Sequence, residues 1–152
     1  MSKLKKFNFK IADQEKIFTI SQVFQHLNKE KNLLSDQNII NGYRVSIDRK
    51  IKLYAKLGVK CLICGKTGLF FTMINSSKKR LNKLQLWTLD DNNHKIRMNL
   101  DHIIPKCRMR IHDDSNYTVM CQNCNSKKSD TPIKDFFQTD YVLRMKKNNK
   151  YC

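Results

Sequence analysis

The chain has 152 residues, of which 40% are hydrophobic, so it can form one folded domain with a small appendage. Its formal net charge of +17 makes a polyanion the natural partner, although a lysine-rich composition would give an ordinary solvated surface the same charge. No long apolar run and no strongly amphipathic basic helix is visible, which argues against a membrane partner. The first ten residues lack the apolar core of a signal peptide, so we expect a cytoplasmic protein.

The predicted elements begin with an N-terminal extension, residues 1–43, that includes a helix with Ser21 as its N-cap. The polar stretch 35–42 indicates a linker between this extension and the main domain. A second helix is predicted over about 44–57, and Gly58 is placed to end it, since glycine is the usual residue after a helix C-terminus.

The main domain is predicted to span 44–140 and to contain several short strands. Alternating and aromatic runs predict strands at 69–74, 84–89, 95–102 and 116–120. One helix should begin near Cys121, and the last should begin at Pro132, because proline is favoured at the first helical position. Residues 141–152 form a predicted basic C-terminal tail.

Two cysteine pairs, Cys61-x-x-Cys64 and Cys121-x-x-Cys124, have the spacing of a structural zinc site. One turn can present both thiolates of a pair to a single ion, and two pairs complete a tetrahedral shell. Without an export signal a disulfide framework is disfavoured. The alternative is a set of buried or redox-active cysteines, but a thioredoxin-like motif needs a βαβ setting that this sequence lacks.

A carboxylate and an imidazole stand side by side in the segment LDHIIPKC, at Asp101 and His102. Both residues lie at the end of a predicted strand, where polar side chains would stand beside an apolar run. A histidine and a carboxylate fixed at a strand end are the groups that metal-assisted hydrolysis requires. A surface or capping pair is the ordinary alternative for such a dipeptide.

The order of these motifs resembles the HNH endonuclease family. The segment DHIIP at 101–105 is followed by Asn116 and then by CQNCNSKK at 121–128, with the first cysteine pair upstream as in zinc-bound members. The resemblance covers about 44–137 and implies an α+β fold of the ββα-metal type around a structural zinc. It also implies a small phage or mobile-element protein, and hence a bacterial or phage-infected host cell.

The same resemblance implies the roles of the site residues. His102 would act as general base, because its reference pKa lies near neutrality. Asp101 and Asn125 would hold a catalytic Mg²⁺ or Mn²⁺ ion, since hard ions prefer oxygen donors. Asn116 would brace the loop that carries His102. Asn125 stands where the commonest pattern has histidine, and His112 with Asp113 in the preceding loop are further candidates to approach the ion.

The expected function is hydrolysis of phosphodiester bonds in DNA, as nicks or double-strand breaks. Phosphate contacts are predicted at Lys127, Lys128, Arg108 and Arg110, and the N-terminal extension is a candidate for an accessory DNA contact. No small-molecule cofactor is expected, and a homodimer is left open. The alternative function is a zinc-containing, nucleic-acid-binding regulator without catalytic activity.

Overall fold

The computed structural model describes residues 16–27, 38–74, 81–108 and 113–148. They form a five-stranded antiparallel sheet with the spatial order β1-β4-β5-β6-β7 and a separate hairpin, β2-β3. The strands are β1 Ile17–Thr19, β2 Asn38–Ile40, β3 Tyr43–Val45, β4 Phe70–Met73, β5 Leu84–Leu89, β6 Lys95–His102 and β7 Tyr117–Cys121. The helices are α1 Ile20–Phe24, α2 Arg49–Leu57, α3 Gln122–Lys128, α4 Ile133–Phe136 and α5 Asp140–Asn148, with a 3₁₀ turn at Asp114–Asn116. The predicted α+β class is therefore confirmed.

The helix starts in the N-terminal half differ from the prediction. Thr19, not Ser21, caps α1, because its side chain and that of Gln22 exchange hydrogen bonds with each other's backbone N–H in a capping box. α2 begins after Asp48, whose side chain accepts from the Ile51 N–H. The expected start near residue 44 was wrong, since that part of the chain pairs in the β2-β3 hairpin, which was predicted as a linker.

The centre of the core lies on one face of the sheet. Phe71 on β4 is paired with Leu86 on β5, and both are fully buried. Tyr54 of α2 meets the Phe71 ring edge-on, with centroids 6.3 Å apart, and its hydroxyl donates to the Met98 carbonyl at 2.8 Å. Gly58, with φ at +87°, ends α2 as predicted. This packing holds α2 against the middle of β6.

Strand β6 changes its partner halfway along. Its first half, 95–97, pairs with β5, and its second half, 98–102, pairs with β7. The buried Gln85 side chain fills the gap where β5 and β6 separate, donating at 2.8 Å to the carbonyls of both Leu86 and Met98. The second half of β6, β7 and α3 thus form a ββα unit that is joined to the larger sheet through one continuous strand.

The first strand and the last helix of the described residues join the same structure. β1 pairs with β4 at the edge of the sheet, and Val142 of α5 is fully buried. Pro132 precedes α4 as its N-cap, and two short helices occupy the region of the single expected last helix. The functional division of the chain at residues 43 and 140 stays a prediction. Within the described ranges, no helix has both the length and the apolar character needed to cross a membrane.

Candidate active site

The four cysteines of the two predicted pairs lie together. Their Sγ atoms are all within 4.8 Å of one another, and the Cys64 and Cys121 sulfurs are 3.6 Å apart. Four thiolates at about 2.3 Å from one zinc ion would lie about 3.8 Å from each other. The cluster therefore fits a structural zinc ion, and the prediction that the distant pairs share one site is supported by their positions.

A tight turn and a helix start deliver the cysteines to this cluster. In the turn the Gly65 N–H donates to the Cys61 carbonyl at 3.0 Å, and Gly65 has φ of +73°, a conformation that suits glycine. The turn also lies along the outer edge of β7, where the Leu62 N–H donates to the Val119 carbonyl at 2.9 Å. Cys121 ends β7 and is the N-cap of α3, so its partner Cys124 comes round in the first turn of that helix.

The pKa values of the clustered thiols are shifted in opposite directions. Hydrogen bonds from Cys121 and Cys124 lower the pKa of Cys61 far below its usual value, and the pKa of Cys64 falls to about 7 by the same contacts. The pKa of Cys124 moves upward instead, first because of its contact with Cys121 and then because of Cys61. Four thiolates cannot coexist at this spacing without a cation between them, which is the condition that a bound Zn²⁺ satisfies.

Asp101 and His102 occupy the end of β6, as predicted. They pair with Thr118 and Tyr117 of β7, and as neighbours on a strand they point to opposite faces. The Tyr117 ring contacts the His102 ring at a centroid distance of 4.6 Å. The imidazole is thus held by an aromatic neighbour while the carboxylate faces α3.

Asn116 makes the hydrogen bonds that the family resemblance implies. Its Oδ1 accepts from the Ile104 N–H at 2.9 Å, and its Nδ2 donates to the Ile104 carbonyl at 3.2 Å. Its own carbonyl accepts from the Ile103 N–H at 2.9 Å, so one buried side chain and its backbone hold the two residues that follow His102. The contribution of these bonds to a reaction stays a prediction.

Lys128 does not lie on the exposed helix face where it was expected. Its side chain is 1% exposed, and its Nζ lies 2.8 Å from Oδ2 of Asp101, whose side chain is 18% exposed. A buried ammonium needs such a partner, because an unpaired charge away from water is costly. The prediction of a phosphate contact at Lys128 was therefore wrong. The contact also orients α3, since Asn125 precedes Lys128 by one helical turn and lies near the same side.

A basic cleft opens beside Asn125. It has a volume of about 550 Å³ and is lined by residues of α2, β6, β7 and α3, among them Arg49, Lys50, Arg97, Asn99, Tyr117 and Asn125. Its three cations, Arg49, Lys50 and Arg97, were not among the site residues predicted from the sequence. The available signal was the alternation of charged residues along β6, whose outward positions carry Lys95 and Arg97.

The structure describes only some of the other predicted contacts. Lys127 and Arg108 are exposed, whereas Arg110 and His112 fall outside the described residues. Asp113 caps the 3₁₀ turn by accepting from the Ser115 N–H at 2.7 Å, and hydrogen bonds from the Ser115 side chain and then from this N–H lower the pKa of the Asp113 carboxyl. Its expected approach to the ion remains a prediction.

Comparison with known proteins agrees with the motif assignment. Residues 90–131 match the family model described as HNH endonuclease. This segment contains β6, β7 and α3, together with two of the four clustered cysteines. No curated protein and no solved structure matches the chain.

Proposed function

We propose that the protein is a metal-dependent endonuclease that hydrolyses phosphodiester bonds in DNA, on the premise that residues 90–131 match the HNH endonuclease family. The observation that carries the proposal is the contact between the end of β6 and α3. Asp101 meets Lys128 there at 2.8 Å, on the helix that presents Asn125 to a basic cleft. This contact brings a carboxylate and the helix that carries an amide oxygen together beside a surface suited to phosphate, and the His102 imidazole follows the carboxylate at the end of the same strand.

His102 acts as the general base in this proposal. A histidine at the end of a strand can take a proton from water near neutral pH, because its ordinary pKa is about 6.5. Its contact with the Tyr117 ring limits the directions that the imidazole can adopt. Asn116 keeps the following backbone in place through the pair of bonds to Ile104, so that the base does not drift from the phosphate.

Asp101 and Asn125 are the proposed ligands of a divalent ion, Mg²⁺ or Mn²⁺. Both offer hard oxygen donors, and an ionised carboxylate has about four lone-pair sites, so the bond from Lys128 leaves acceptor capacity at Asp101. When bound, such an ion polarises the scissile phosphate and stabilises the leaving oxygen. The role of Lys128 in this arrangement is to fix the carboxylate and to balance its charge.

The cysteine cluster has a structural role in the proposal. Four thiolates fill the coordination shell of zinc and leave no position for a substrate. Arg108, Arg110 and Lys127 are proposed to contact phosphates around the site, outside the cleft. A single site of this kind makes one nick per binding event, so a double-strand break would need two copies of the chain or two visits.

The test is cleavage of supercoiled plasmid with Mg²⁺ or Mn²⁺, by the unaltered protein and by His102→Ala. We expect nicked product from the first and a loss of at least about a hundredfold in the second, the usual scale for a general base. His94→Ala is the matched control, because His94 is an exposed histidine that bonds Asp90 in the turn before β6. Folded protein that binds plasmid and never nicks it would favour the non-catalytic regulator.

A further inference from the structure

A row of cations leads along β6 to the candidate site. Lys95, Arg97, Asn99 and Asp101 occupy alternate positions of the strand and so share one face. Trp87, which pairs with Arg97, shares that face, and its ring centroid lies 5.0 Å from Lys95 Nζ and 5.7 Å from Arg97 Cζ. Lys95 and Arg97 are exposed, yet the ring limits their freedom through cation–π contacts.

Two further cations face this row from the start of α2. Arg49 is held by Asp114, with its Nε at 3.0 Å and its Nη2 at 2.6 Å from one carboxylate oxygen. Lys50 donates to Gln85 at 3.0 Å and lies over the Tyr54 ring at 5.8 Å. Each cation is therefore positioned by a neighbour, which lowers the entropy lost when it binds an anion.

The cations line one continuous groove. The cleft beside Asn125 shares Arg97 and Gln122 with a second cleft of about 320 Å³ that contains Trp87 and Lys95. Among the described residues that line the two clefts, none is acidic. A groove lined by cations, amides and two aromatic rings, with no acidic residue among the described lining residues, fits a polyanion rather than a protein surface of mixed charge.

We infer that this groove, which we call the basic track, holds the phosphate backbone of DNA on one side of the cleaved bond. The inference rests on the proposed function, because it takes Asp101 as the position of the scissile phosphate. From Arg97 to Asp101 the strand rises by about 14 Å at about 3.4 Å per residue. One strand of DNA has one phosphate per about 3.4 Å along the duplex axis, so Arg97 should meet a phosphate at most about four nucleotides from the cut, the value for β6 lying parallel to that axis.

The first experiment measures binding without cleavage. A short duplex is titrated with the protein in EDTA at several salt concentrations, using Arg97→Gln and the control Arg144→Gln. Arg144 lies on α5 and lines a different cleft with Asp140 and Lys147. Loss of one phosphate contact should reduce the slope of log K against log salt by about 0.9 in Arg97→Gln, with no change in Arg144→Gln. Lys50→Gln and the exposed Lys52→Gln, neighbours on α2, form a second matched pair.

The second experiment locates the contact on the DNA. A single uncharged methylphosphonate is moved along the cleaved strand, and cleavage is measured at each position. The unaltered protein should lose activity most when the substitution lies at one position within about four nucleotides of the cut, on one side only. Arg97→Gln should be insensitive to that same substitution, because the contact is already lost. Lys95→Gln, with a contact further from the cut, serves if Arg97→Gln does not fold.

The two proposals fail in different ways. Cleavage by the unaltered protein, with equal salt slopes for Arg97→Gln and Arg144→Gln, would overturn the basic track and leave the nuclease intact. Binding that depends on Arg97 without any cleavage would overturn the nuclease and keep the track. A duplex that does not bind at all would overturn the track directly.

Discussion

The two ends of α3 lie in two different surroundings. At its N-terminus, Cys121 and Cys124 are buried within a cluster of four soft donors. At its C-terminal side, Asn125 lines an open cleft and Lys128 meets Asp101. The first arrangement is complete and closed, whereas the second has few protein ligands and room for a substrate. The N-terminal end of α3 therefore suits a structural ion that stabilises the fold. The other end suits an open site where ligands can exchange.

The length of α3 shows why these two ends depend on each other. The helix has seven residues, and isolated helices shorter than about 12–15 residues are marginal in water. The cysteine cluster and the ion pair of Lys128 therefore hold it at both ends. The position of Asn125, which lies between them, follows from both sets of contacts.

The largest effect should come from breaking the closed end. Cys124→Ser removes one of four zinc ligands, and structural zinc contributes about 10–16 kcal/mol in small domains, comparable with the whole stability of a domain. We expect the ββα unit to unfold, as measured by circular dichroism and thermal melting. Cys107→Ser is the control, because Cys107 is exposed and lies outside the cluster. Equal melting curves for the two variants would contradict a structural zinc site.

The next effect should come from the ion pair at the other end. Lys128→Met leaves the Asp101 carboxylate without its partner and should lower the free energy of unfolding by up to about 3 kcal/mol. The salt dependence of DNA binding should not change, because a buried ammonium reaches no phosphate. The neighbouring Lys127→Met should show the reverse, with unchanged melting and a slope reduced by about 0.9. A reduced slope in Lys128→Met would show that the lysine leaves its buried position on DNA.

A smaller effect is expected where the loop after β6 is braced. Asn116→Ala removes both side-chain bonds to Ile104 and should cost about 2 kcal/mol of stability, because buried backbone groups lose their partners. Cleavage should fall further than melting predicts, since small shifts of a base can cost up to about a hundredfold. Asn148→Ala, at an exposed position of α5, provides the comparison. If cleavage follows stability alone in both variants, Asn116 has no positioning role.

The smallest effect concerns the surroundings of the cysteines. The Tyr141 hydroxyl lies 3.3 Å from the Cys124 sulfur, and burial followed by this contact raises its pKa. Tyr141→Phe should weaken zinc binding by about tenfold, the lower range for a group next to a metal ligand, and leave cleavage unchanged. Competition with a coloured chelator measures the affinity. An unchanged zinc affinity would show that the hydroxyl does not support Cys124.

Much of the sheet and the cluster of four cysteines could be predicted because their sequence signals are local. The β5 and β6 bounds agree with the alternating runs at 84–89 and 95–102, and the cysteine spacing indicated one cluster. The β2-β3 hairpin was missed because its strands have only three residues each, too few to show an alternating pattern. These features follow from residues that are close in sequence, whereas the rest of the fold depends on contacts between residues that are distant in sequence.

The wrong and missed predictions around the cleft beside Asn125 arose because side-chain positions there depend on tertiary packing. Lys127 and Lys128 are identical in type and adjacent in sequence, yet one is exposed and the other pairs with a carboxylate on β6. Arg49 and Arg97 line the same cleft only because α2 packs against β6 through Tyr54. Charge type and spacing cannot distinguish these cases without the packing.

The Leu62 bond to β7 has a consequence for the behaviour of the protein at high concentration. Outer strands with open hydrogen-bonding groups invite pairing with other chains, which leads to aggregation. The cysteine turn covers part of the edge of β7 at Val119. The strand at the opposite edge of the sheet, β1, has only three residues. Loss of zinc should therefore expose β7 to neighbouring chains, so that metal-stripped protein becomes turbid before its remaining helices melt.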